Sequence, residues 1–88
     1  MTGTLKPAAD LAWRRVDDEI VILDLRTRAY YSLNDVGARV WELAADGHAP
    51  KGIAGVIAKE YGAPLKAVNA DVAGFIKTLL RDKLLTAS

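Results

Sequence analysis

Apolar positions along this chain change their period part-way through it. Between Glu19 and Gly47 the chain reads EIVILDLRTRAYYSLNDVGARVWELAADG. Ile20, Val21, Ile22, Leu23 and Leu25 are apolar at both parities, where a strand with one wet face would alternate. This predicts a strand over Glu19 to Leu25 with apolar side chains on both faces. Arg26-Thr27 reads as a turn, Arg28 to Ser32 as another strand, and Leu33-Asn34 as the entry to a helix. Neither Arg26 nor Thr27 suits a positive φ, so a longer loop or a bulge is expected there. Upstream, LAWRRV predicts a strand over Leu11 to Val16, with Leu11, Trp13 and Val16 as inward candidates. Asp17-Asp18 supplies the turn after it. In chain order these are the first, second and third predicted strands.

From Asn34 onward the period becomes helical. Asn34 is a favourable N-cap, and Asp35 suits the positive end of the helix dipole. Val36, Val40, Leu43 and Ala44 follow helical spacing with Trp41 on the flank, and Gly47 stops the helix as its C′ residue. Pro50 opens a second helix over about Lys51 to Tyr61, with Ile53, Val56, Ile57 and Tyr61 on one face and Gly62 at its end. Pro64 opens a third helix reaching about Lys83, roughly 20 residues or ~30 Å long. Its stripe of Leu65, Val68, Val72, Phe75, Ile76, Leu79 and Leu80 is wider than the second helix needs, so it is expected to floor the sheet as well.

Strands grouped before helices predict an α+β fold: a three-stranded antiparallel sheet followed by three helices, arranged like a winged helix-turn-helix. Residues 1–10, MTGTLKPAAD, read as a flexible N-terminus and residues 11–88 as a single domain. A domain this small rarely covers both faces of a sheet with its own helices. A second protein, or a peptide added at a strand edge, is therefore expected to cover what remains. Tyr30 and Tyr31 are adjacent on a strand, so one faces the core and the other the opposite face or rim; the sequence leaves open which.

Composition narrows the chemistry. The 88 residues contain no cysteine, which removes disulfides, thiolate nucleophiles and thiolate metal sites, and which fits a cytoplasmic protein. No signal peptide is legible in the first residues, and no apolar run approaches the ~20 residues of a membrane span. A net charge of +1 argues against a nucleic-acid footprint. The single histidine, His48, lies in a loop with no identifiable partner and reads as solvated. Asp17-Asp18-Glu19 reads as a solvated turn, because no glycine-punctuated acidic loop follows it. Gly52 and Gly55 fall inside a helix pattern, away from any strand-to-helix phosphate loop. No catalytic residues, metal ligands or cofactor site emerge, and the chain reads as a non-enzyme.

The segment LDLRTRAYYSLNDVGARVWELAADG, followed by a short helix and DVAGFIKTLLRDKLL, resembles the PqqD-like family. These are the RiPP recognition elements, peptide-recognition domains of ribosomal peptide natural-product pathways. The resemblance rests on an ordered set: Tyr31 with Leu33-Asn34, Val40-Trp41-Glu42-Leu43 before Asp46-Gly47, then Asp71-Val72, Phe75, Leu79 and Leu84-Leu85. It covers about Trp13 to Leu85. The Tyr30-Tyr31 pair and the small size are more similar to the lasso-peptide branch than to the cofactor-biosynthesis branch. The chain departs from the pattern in lacking a glycine at the Arg26–Arg28 turn and in having Ala49 as a weak cap before Pro50.

The resemblance implies a function. Such proteins bind the leader segment of a precursor peptide by strand addition to the third strand, in a groove against the third helix. They deliver it to a separate leader peptidase, a transglutaminase-like cysteine protease, and to a cyclase. Lasso leaders typically present a tyrosine and a proline to a hydrophobic pocket. By position, Arg28, Ala29, Tyr30, Tyr31, Ser32 and Leu33 would form the pairing edge. Val72, Phe75, Ile76 and Leu79 would form the pocket, with Asp71, Lys77 and Thr78 as its polar rim. Of the Tyr30 and Ser32 amides, one is expected to face the leader. Two alternatives remain at this point. One is a winged-helix DNA-binding regulator, for which the third helix offers Lys66, Asn69, Lys77, Arg81 and Lys83. The other is a PqqD-like chaperone of a radical-SAM peptide-modifying enzyme.

Overall fold

The strand predicted to be apolar on both faces sits in the middle of a sheet. The computed structural model describes residues 5–87. Along the chain run β1 (Leu5–Pro7), β2 (Leu11–Val16), β3 (Glu19–Asp24), β4 (Tyr30–Asn34), α1 (Asp35–Ala45), α2 (Pro50–Tyr61), α3 (Leu65–Arg81) and β5 (Leu85–Ala87). The first, second and third predicted strands are β2, β3 and β4, antiparallel in the order β2-β3-β4. Three helices follow them, so the fold is the α+β arrangement expected.

Alternation on β3 decides what lies inside. Ile20 and Ile22 are fully buried, while Val21 and Leu23 are half-buried on the other face. Register then sorts the neighbours. Trp13 and Tyr31 flank Ile22 on the inner face, and Leu33 lies beside Ile20. Val16 has the opposite parity from Leu11 and Trp13 and is exposed, so it is not an inward residue. Tyr31 packs against the core, whereas Tyr30 is 71% exposed on the outer face.

The helix behind β3 and β4 is α1. The expectation that the third helix floors the sheet is corrected: α3 packs on α2 and β5. Trp41 was expected on the flank of its helix and is instead fully buried. The Trp13 ring meets it edge-on, 5.7 Å between centroids at 83°. Gly47 (φ 96) and Gly62 (φ 63) end α1 and α2 in the conformations that favour glycine. His48 does more than face solvent: its Nδ1 lies 3.2 Å from the Leu43 carbonyl, where an Nδ1–H donates to the end of α1.

The N-terminal segment also differs from the expectation of a flexible run over residues 1–10. Leu5–Pro7 pairs antiparallel with Leu85–Ala87, and Leu5 is buried. Residues 1–4 lie outside the described residues. Leu5, Leu84 and Leu85 together bring both ends of the chain onto the core.

Between β3 and β4 the chain forms the longer loop that Arg26-Thr27 called for. Arg28 adopts φ 67, a left-handed conformation that costs an L-residue roughly 1–2 kcal/mol. Its N–H donates to the Asp24 carbonyl at 2.7 Å, which fixes the geometry. Glycine would relieve the strain but lose more entropy on folding, about 0.5–1 kcal/mol. Arg28→Gly should therefore raise the melting temperature by about 2–4 °C, read by thermal denaturation. An unchanged or lower midpoint would mean that Arg28 is not strained.

Candidate functional site

Sheet geometry decides which backbone groups are free. The Asp24 N–H donates to the Ala29 carbonyl and the Leu25 N–H to the Asp10 carbonyl, each at 2.9 Å. Both bonds continue the strand registers, so even-numbered residues of β3 address β4 and odd-numbered ones address β2. Ile22 with Tyr31, and Ile20 with Leu33, are the hydrogen-bonded pairs. Tyr31 and Leu33 thus use their N–H and C=O on β3. Tyr30 and Ser32 turn theirs away from it. The expectation that one of these two amides faces the edge is corrected: residues two apart on a strand point the same way, so both do. Among the described residues β4 has a partner strand on one side, and its other edge is open.

Beside that edge lies a cavity of about 380 Å³ between β4, the first turns of α1 and α3. Ser32 and Leu33 come from β4, and Asp71, Val72 and Phe75 from α3. These are the sequence-predicted residues that the fold brings together. Sequence reasoning missed Asn34, Val36, Gly37 and Val40, which line the same space. The signal available was the direct junction of Asn34 with Asp35: with no loop between strand and helix, the first turn of α1 must lie under the end of β4.

The other candidates fall elsewhere. Arg28 and Ala29 belong to the loop before β4. Tyr30 projects from the outer face, where with Ala12, Trp13, Arg14, Val21 and Leu23 it lines a shallower hollow of about 210 Å³. Tyr31 packs on the core and is not in the cavity lining. Ile76 and Leu79 are buried core residues. Lys77 and Thr78 are exposed on α3, where the Thr78 hydroxyl donates to the Gly74 carbonyl at 3.2 Å.

The junction itself is strained. Asn34 occupies the N-cap position (φ −132, ψ 167) but makes no side-chain cap bond. Asp35, the first helical residue, has φ 46, a region aspartate tolerates better than most residues.

One buried carboxylate organises the loop that delivers β4. Asp24 is 2% exposed, and no pattern in the chain marks its role. Its Oδ1 accepts the Arg26 amide at 2.9 Å and the Thr27 amide at 3.4 Å, while the Arg26 guanidinium closes on both oxygens at 3.2 and 2.9 Å. The Arg26 side-chain bond, aided by those amides, holds the Asp24 carboxyl below its ordinary pKa against the opposing effect of burial. A depressed carboxylate stabilises the fold fully above its unfolded pKa of about 3.9, and that contribution is lost as pH falls through the lower folded value. Asp24→Asn should lower the melting temperature at pH 7. The gap to wild type should shrink below about pH 3.9, as the wild-type carboxyl protonates. A gap that persists unchanged at pH 2 would show that the charge contributes nothing.

On the opposite flank, Arg15 meets Glu42 at 2.6 Å, and Arg39 meets Glu42 at 3.4 Å and Glu60 at 2.7 Å. The chain of charges ties β2 to α1 and α2. The Arg39 bond lowers the Glu60 pKa. These groups are partly exposed and lie away from the cavity, so their role is orientation of the elements.

Fold and site together define a small α+β domain of winged-helix-like build in which the open edge of β4 lies beside an apolar cleft. The sequence profile of the family described as coenzyme PQQ synthesis protein D (PqqD) matches residues 19–85. The chain belongs to the PqqD family. A solved chain described as TbiB1 in complex with the TbiA(beta) leader peptide is 34% identical, with a TM-score of 0.86 over 91% of this chain and 93% of that one. A second, described as lasso peptide synthetase B1 complexed with the leader peptide, is 24% identical, with a TM-score of 0.85 over 93% of this chain and 96% of that one. At that lower identity the likeness is one of fold. A search of curated proteins gives no match. Among the described residues, no helix is long and apolar enough to cross a membrane.

Proposed function

We propose that this protein is the leader-recognition element of a lasso-peptide pathway. It binds the N-terminal leader of a ribosomally made precursor as an antiparallel strand on the open edge of β4. Leader side chains on one face of that strand enter the cleft against α3. The protein then hands the precursor to a separate leader peptidase and to a cyclase, and performs no chemistry of its own. The observation that carries this reading is the unpaired Tyr30 and Ser32 backbone beside an apolar cavity, in a chain 34% identical to one solved with a leader peptide. Strand addition draws affinity from main-chain hydrogen bonds and specificity from the pockets that receive alternate side chains.

Amide hydrogen exchange tests it. On adding the leader of the protein's own precursor, the Tyr30 and Ser32 amides should gain protection. Tyr31 and Leu33, already bonded to β3, should change little. Leader binding without new protection at Tyr30 and Ser32 would exclude this edge, and no binding would exclude the function. Incubation with the precursor should leave its mass unchanged until the peptidase is added. Cleavage at a rate proportional to this protein's concentration would contradict a purely binding role.

A further inference from the structure

Gly37 occupies the first turns of α1, where glycine disfavours a helix relative to alanine. Its backbone is not in the left-handed region, so conformation does not demand a glycine. Space does. A Cβ at position 37 would sit 3.2 Å from Phe75 Cζ, 3.6 Å from Phe75 Cε2 and 3.8 Å from Leu33 Cβ. The other glycines within helices are unlike it: Gly55 and Gly74 have open space where a Cβ would go, and Gly52 meets His48 at 3.9 Å. Gly37, Phe75 and Leu33 all line the cavity between β4 and α3. The absent side chain is therefore what lets the Phe75 ring lie back against α1.

We propose that Gly37 sets the specificity of this cleft: it seats Phe75 against α1 and so keeps the cavity deep enough for one large apolar side chain of the bound peptide. A Cβ at position 37 makes the Phe75 ring give by a few tenths of an ångström, because a contact of 3.2 Å is tighter than most Cβ contacts, and a longer side chain displaces it further. Leu33 Cβ stands 3.8 Å from the same spot, and the ring that must give is itself a wall of the cavity. The remaining lining is apolar at Val36, Val40 and Val72 and polar at Ser32, Asn34 and Asp71, and its apolar part is what a bulky apolar occupant would cover. This inference rests on the leader-binding reading above and names the residue that selects what enters.

The test is a double-mutant cycle with the protein's own precursor leader, made synthetically with a fluorescein label. An alanine scan of the leader on wild-type protein first identifies the large apolar position whose loss weakens binding most. Gly37→Ala should then bind the native leader about 10-fold more weakly, while the leader lacking that side chain binds wild type and variant alike. Gly37→Ala should keep or raise the melting temperature, since alanine suits a helix better. Trimming the displaced ring in Gly37→Ala/Phe75→Leu should recover at least about 3-fold of the lost affinity, as expected of coupled neighbours. Equal affinity of Gly37→Ala and wild type for the native leader would overturn the inference, as would an equal loss with the truncated leader. Failure of wild-type protein to bind any leader is a different result: it overturns the functional reading, and this inference with it.

Discussion

Replacing Ser32 by proline is expected to leave the domain folded and to weaken leader binding by about 100-fold or more. The Ser32 N–H points away from β3, so its removal takes nothing from the existing ladder. Proline is accepted at such an edge position, where its missing donor faces outward. The fold loses the bond from the Ser32 hydroxyl to the exposed Glu19 carboxylate at 2.9 Å, which is of little consequence to stability. A leader strand loses far more. One of its carbonyls is left without a donor on burial, at about 1–3 kcal/mol, and the proline ring occupies the line along which its backbone must approach. Tyr30→Pro should act in the same way, since the Tyr30 amide shares that direction. Tyr31→Pro should instead damage the fold, because its N–H bonds β3. Thermal melting and titration with labelled leader separate these outcomes. Wild-type affinity in a folded Ser32→Pro variant would mean that the leader binds elsewhere.

The largest effect on stability is expected at Trp41. The side chain is fully buried between the sheet and the helices, with the Trp13 ring against it. Truncating a buried tryptophan to alanine costs about 3–5 kcal/mol. A chain of this length has a total stability of roughly 4–13 kcal/mol, so Trp41→Ala should remove a large share of it and lower the melting temperature by at least about 12 °C. The control uses a detail of the core: Trp41 Nε1 is buried and, among the described residues, has no hydrogen-bond partner. Trp41→Phe removes that unpaired donor along with part of the ring, and the two changes offset each other. It should therefore melt much closer to wild type than Trp41→Ala. Circular dichroism melts of the two variants and of Trp13→Ala, at a residue 39% exposed, would check the order. If Trp41→Ala melted like wild type, the described core would be wrong.

Much of the fold was legible because it is encoded locally. The change from strand to helical period, Gly47 and Gly62 as stops and Pro50 at a helix start each act within one turn of chain. The misplacements have two kinds of cause, a local side-chain contact that periodicity does not show and contacts between segments far apart in the chain. The third strand was expected over Arg28 to Ser32 and is found at Tyr30–Asn34, since the Asp24 carboxylate gathers the Arg26 and Thr27 amides and lengthens the loop. Leu5–Pro7 looked like a loose end, because its partner Leu85–Ala87 lies at the far end of the sequence. Trp41 falls on the edge of its helical stripe, and it is buried because distant elements pack on it, the Trp13 ring from β2 among them.

The candidate site divides along the same line. Ser32, Leu33, Asp71, Val72 and Phe75 could be placed near one another by pattern and resemblance. Ile76 and Leu79, which share the α3 stripe with Phe75, are core: Ile76 is turned about 100° from Phe75, and Leu79 lies about 6 Å further along the helix, outside the cavity lining. The sequence by itself determined that the chain is a small α+β domain with more apolar strand surface than it can cover. It also carried the ordered residues that mark the PqqD family. The tertiary structure decided that the open edge of β4 lies beside a cleft, that the Tyr30 and Ser32 amides share that edge, and that Asn34, Val36, Gly37 and Val40 complete the cavity. Period and caps depend on residues a few positions apart, whereas a free edge and a cleft exist only once distant segments have packed and left a space between them.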